Sequence, residues 1–187
     1  MRRRSAGSRQ ALPSVKPQIT AKNARDIYTS AEDFRIAASA LTEHNGEPQA
    51  WARVFGPYVV LEAFAAELYI KCILVDGGAP TIPGKHKLTE LFRNVHAKTR
   101  GDIEKIWRSL GAHFKFSPMA QPFEQVLCAI GNHFELWRYR FENESDQLRR
   151  GEEIRLVNLA LWGYIIERHP DWKDEDHSYF AATFPVL

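Results

Sequence analysis

The feature that most constrains the fold is the spacing of the apolar side chains. From about residue 30 to residue 168 they recur at intervals of three and four, and no stretch alternates at two for long enough to build a sheet. This predicts an all-α domain, an up-and-down bundle of about five to six helices. Ser30 with Asp33 fits an N-cap and its N3 partner, so a first helix is expected to start there. It carries Ala31, Phe34, Ala38 and Leu41 on one face and ends near Asn45-Gly46. Trp51, Val54 and Phe55 open a second, and Pro57 fits the first residue of a fresh turn. A spine helix over 57–75 then stops at Asp76-Gly77-Gly78. Leu88, Leu91, Phe92 and Val95 mark a short helix, and Ile103, Ile106, Trp107 and Leu110 another, closed by Gly111. A second long helix runs from Phe123 to Phe141, and the last carries Ile154, Val157, Leu161 and Ile165 and ends at Arg168-His169-Pro170.

Charge divides the chain where periodicity does not. Residues 1–25 hold seven basic side chains and no acid, which leaves 18 basic against 23 acidic residues in the remainder. Residues 1–18 are therefore expected to form a disordered basic arm, too poor in apolar groups to offset the entropy of ordering. Such an arm suits phosphate contacts, a transit-like leader or a solubilising tail. Residues 19–170 form the bundle, and residues 171–187 an acidic and then apolar tail. No run of about 18 apolar residues occurs, so no membrane span is expected. With no secretory signal core, a cytoplasmic location is expected. Cys72 and Cys128 fall in apolar helical segments without Cys-x-x-Cys spacing, as buried free thiols do.

Familiar chemical signatures fit poorly. The loop from Gly77 to Lys85 has five residues between Gly78 and Gly84, has His86 after its lysine, and carries two prolines that remove phosphate-binding amides. It does not read as a P-loop. Asp174, Asp176 and His177 lack a second ligand group at helical spacing, so no metal is expected, nor any other cofactor. No Gly-x-Ser-x-Gly elbow is present. The segment His133 to Glu142 interleaves Arg138, Tyr139 and Arg140 with aromatic residues. That pattern suits phosphate contact and base stacking, or equally a solvated or dimer-rim face.

The string Ala63-Phe64-Ala65-Ala66-Glu67-Leu68-Tyr69-Ile70-Lys71, followed by Gly84-Lys85-His86-Lys87-Leu88 and Leu91-Phe92, resembles the HEPN domain pattern over about residues 30–168. Glu67 and Lys71 match its Glu and Lys four apart on a long helix. Gly84, His86 and Leu88 match the start of its next helix, and Arg138-Tyr139 matches a later key Arg pair. The resemblance implies a helical-bundle homodimer that binds RNA, nucleotide or a partner protein in a prokaryotic phage-defence or toxin–antitoxin setting. Its active members are metal-independent endoribonucleases using Arg-x4–6-His. Counting on from Arg138 reaches Asn143, Glu144 and Ser145, so the histidine of that motif is missing. The formal match Arg108 to His113 is one of about two expected by chance in a chain with seven His.

Three readings stand. The first is a non-catalytic HEPN-like dimer binding RNA, nucleotide or an antitoxin or defence partner through Arg138, Tyr139, Arg140, Glu142, Glu67, Lys71 and His86. The second is an endoribonuclease in which Arg138 holds the phosphate and His133 or His113 moves the proton. The third is a structural helical adaptor. Glu67 with Lys71 also reads as an ordinary i, i+4 pair, and His86 as a helix cap. A two-fold dimer is expected because a lone bundle leaves Trp137, Phe141 and the apolar C-terminus only partly covered.

Overall fold

The chain forms helices wherever a computed structural model describes it, over residues 21–43, 48–79, 86–114, 120–131 and 151–173. Six α-helices lie in these residues: α1 Ala21–Glu43, α2 Pro48–Asp76, α3 Leu88–Arg93, α4 Ala97–Phe114, α5 Phe123–Ile130 and α6 Gly151–Arg168. A 3-10 turn, Pro170–Trp172, follows α6, and no strand occurs among the described residues. The all-α bundle expected from the apolar spacing is the fold. No helix among the described residues is long and apolar enough to cross a membrane.

α2 is the spine, about 44 Å long at a rise of about 1.5 Å per residue. α1 lies antiparallel along it, with Tyr69 against Glu32 and the Phe34 ring stacked on Phe64 at 5.3 Å. α6 runs parallel to α2 on another side, as the pairing of Asn158 with Glu62 and of Arg168 with Asp76 requires. The main core sits between them and α3 to α5, around Tyr69, Ile70, Leu91, Ile103, Trp107, Phe123, Leu127, Ile154 and Leu161. Burying each such large side chain stabilises the fold by about 1.5–3 kcal/mol. A second, smaller cluster lies where α1 ends and α2 begins. Ala38, Tyr58 and Val59 are buried there, with Leu41, Trp51, Phe55 and Leu61 packed around them.

Helix ends depart from the sequence expectation in four places. α5 stops at Ile130, with Gly131 in a turn, short of the expected Phe141, and the positions from 132 to 150 lie outside the described residues. α1 starts at Ala21, and Ser30 is no cap: its hydroxyl donates to the Asp26 carbonyl one turn back, at 3.0 Å. Such back-bonding satisfies a mid-helix serine without ending the helix. Pro57 starts no new turn, because α2 continues through it. The proline and Arg53, whose carbonyl it leaves without a donor, are both exposed, so water can take the missing bond. Gly111 lies inside α4 rather than at its end. The stop after Asp76 is as read. Gly78 takes a positive φ, in the left-handed region that favours glycine. The Ala79 and Gly78 amides return to the Leu74 and Val75 carbonyls at 2.9 and 3.0 Å, a Schellman ending.

Two further ties position the surface. The Glu104 carboxylate accepts from the Phe123 amide at 2.8 Å and so caps α5 from a neighbouring helix, while Arg108 joins Glu104 to the Ala120 carbonyl. Asp76 takes hydrogen bonds from Arg168 at 3.2 Å and His169 at 2.9 Å, which locks the ends of α2 and α6 together. The His169 ring stacks on Trp172 at 4.0 Å, and Trp172 in turn meets Tyr28 of α1.

Candidate functional site

Three of the residues singled out in the sequence converge. Glu67 and Lys71 sit one turn apart on α2, and His86 stands just ahead of α3, 19 positions after Glu67. The Schellman ending turns the chain away from α2, and Leu88, buried under α3, anchors it again next to that helix. The Glu67 carboxylate accepts from Lys71 Nζ at 2.5 Å and meets His86 Nδ1 at 3.1 and 3.2 Å through its two oxygens. Glu67 is 8% exposed at the side chain, Lys71 19% and His86 65%, so a sunken anion anchors two outer nitrogen groups. His86 is not the helix cap: Lys87 holds that position.

The geometry fixes which face of the imidazole is offered. A carboxylate can only accept, so the Nδ1 it meets carries the proton, and Nε2 is left as the free ring nitrogen. Beside it Ala63, Phe64, Leu88, Ile130 and Gly131 line a pocket of about 10 Å³. That is room for about one water.

The remaining candidates fall differently. His133, Arg138, Tyr139, Arg140 and Glu142 lie outside the described residues, as do residues 1–18 and the tail from residue 174. Arg108 and His113 do not form a pair. On the unbroken α4 their spacing puts them on different faces. Arg108 is held by Glu104 and Ala120, and His113 packs edge-on against Phe114. Cys72 is buried, and burial, helped by Asp76, pushes its thiol up to about 12; Cys128, expected to be buried, is exposed on α5. No group of three or more His, Cys, Asp or Glu among the described residues is arranged to hold a metal ion.

Sequence reasoning missed a second polar assembly, set in the core. Arg35 donates to both Glu32 oxygens, at 3.2 and 2.7 Å, and the Tyr69 hydroxyl donates to the same carboxylate. Further along, Asn158 Nδ2 donates to the Glu62 carboxylate at 2.6 Å and to the Glu62 carbonyl at 2.9 Å. Burial raises the Glu62 carboxyl above its ordinary value, against the opposing pull of Asn158, Arg35, Arg155 and Tyr58. The Asn158 Oδ1 atom is buried with no hydrogen-bond partner. The available signal was position: Glu62 and Asn158 each interrupt a run of apolar residues. Comparison with known protein families, with curated proteins and with solved structures finds no match.

Proposed function

We propose that this protein is a HEPN-like bundle that binds RNA as a homodimer, without cutting it, in a prokaryotic defence or toxin–antitoxin setting. One observation carries the reading: Glu67, Lys71 and His86, separated in sequence, meet at one carboxylate, with the imidazole exposed at the surface. The basic residues of the first 25 positions and Arg138, Tyr139 and Arg140 extend the same chemistry, by phosphate contact and base stacking.

A second reading is metal-independent RNA cleavage with Arg138 at the phosphate and His133 moving the proton, to which the Glu67–His86 pair adds another candidate for the proton transfer. An imidazole held at Nδ1 by a carboxylate has the arrangement of a general base. Incubation with total cellular RNA, with and without chelator and beside Arg138→Ala, separates the two. Binding with intact RNA in every lane is expected. Cleavage that survives chelator and disappears in the variant replaces the first reading by the second, and no binding at any salt concentration overturns both.

A further inference from the structure

We infer, on the RNA-binding reading above, that this site binds RNA only by taking up one proton on His86, with Glu67 the positioning residue that imposes the condition. Polarity is what imposes it. Because the carboxylate holds the imidazole through Nδ1–H, the neutral ring keeps a lone pair on Nε2, on a side chain that is 65% exposed among the described residues. A phosphodiester oxygen is also only an acceptor, so the neutral site faces its ligand acceptor to acceptor. Protonation at Nε2 replaces the lone pair with a donor and adds a charge, which gives a charge-assisted hydrogen bond to phosphate.

The surrounding charges do not alter that sum. Lys71 and Glu67 cancel each other at 2.5 Å, and Lys87 and Glu90, at the start of α3, face one another at 4.0 Å. At the end of α5 the pocket is lined by Ile130 and Gly131, neither of which titrates. Among the described residues the charges beside the imidazole are therefore balanced, and the change of charge on acidification is that of the imidazole. Binding is therefore expected to strengthen on acidification.

The test uses the full chain and a fluorescent single-stranded oligouridine. Its affinity is measured from pH 5.5 to 8.5 at constant ionic strength, with circular dichroism at each pH. Wild type is expected to gain affinity on acidification by up to about tenfold per pH unit, the limit for one proton. His86→Gln should lose that slope, bind more weakly at pH 5.5 and match wild type at pH 8.5. At pH 5.5 its salt dependence should fall by about 0.7 in log–log slope, one phosphate contact on a single strand. Glu67→Gln is the sharper variant. Its amide can donate to Nδ1 and release the other tautomer, so that Nε2–H points outward without a proton uptake. Its profile should flatten, with affinity at pH 8.5 above wild type; the freed Lys71 charge adds a gain that does not vary with pH, so the lost slope is the diagnostic, and a slope equal to wild type overturns the role given to Glu67. A flat wild-type profile, or a slope that persists in His86→Gln, overturns the inference and leaves RNA binding standing. Absence of binding at every pH overturns the reading beneath it as well.

Discussion

Replacing Glu62 by glutamine should stabilise the protein, and by more at alkaline than at acidic pH. Glu62 is 2% exposed, and burial holds its carboxyl above the value near 4.5 that it has in the unfolded chain. A carboxyl with a raised native pKa binds its proton more tightly folded than unfolded. Stability from this group is therefore full at low pH and falls as pH rises from about 4.5 through the native value. The amide keeps the shape, carries no charge and retains an acceptor for Asn158 Nδ2. It also adds an N–H donor beside Asn158, whose Oδ1 is buried with no hydrogen-bond partner among the described residues. A hydrogen bond gained at such an atom contributes about 1 kcal/mol, and relief of the buried charge adds to it increasingly as pH rises above about 4.5. Urea denaturation at pH 5 and pH 8 measures both, read from midpoints at constant slope. A gain of about 1 kcal/mol is expected at pH 5 and a larger one at pH 8. A variant less stable than wild type at pH 8, or an equal difference at the two pH values, would refute the reasoning.

Asn158→Leu should do the opposite and cost about 3 kcal/mol, because both donors to Glu62 vanish and a buried carboxyl is left with fewer partners; urea denaturation at pH 8 reads it directly. Tyr69→Phe removes a donor from Glu32 in the core, while Arg35 still holds both carboxylate oxygens. The same assay should show a smaller loss, about 1 kcal/mol. A water-soluble disulfide reagent should titrate one thiol in the native chain, Cys128, and two in denaturant, since Cys72 is buried and its pKa is pushed up to about 12; two fast thiols in the folded protein would contradict the placement of Cys72.

Much of the fold was legible because helix formation here follows one rule, the burial of an apolar stripe. That rule holds for α3, α4 and α6 nearly to their ends. It is silent about where a helix begins when a polar residue has two ways to satisfy itself. Ser30 could cap a new helix or bond back within an old one, and only the presence of Ala21 to Thr29 as helix decides. Pro57 is the same kind of case, since its cost depends on whether its neighbours are wet. At the candidate site the three residues were legible as a pattern, but their meeting was not: an i, i+4 pair on α2 and a loop histidine share a carboxylate only because the chain doubles back after Gly78. The core polar assembly was the least legible. Whether Glu32 or Glu62 is buried while Asp33 is exposed depends on how α1, α2 and α6 are rotated against one another, which no single helix encodes.

The small cluster of Ala38, Tyr58 and Val59 makes α2 one helix but two zones of persistence. Among the described residues its first three turns pack into that small cluster, on Ala38 and Leu41 of α1, while beyond Glu62 the same helix is gripped by α1, α3 and α6 together. Amide protons near residues 53–60 should therefore exchange through an opening of the hairpin end, at a free energy well below that of global unfolding, while those of residues 65–75 should wait for the whole bundle to melt. Glu67 lies on the slow side of that boundary. The two ends of one rod can thus run on different clocks, and the end that breathes can do so while the carboxylate holding His86 keeps still.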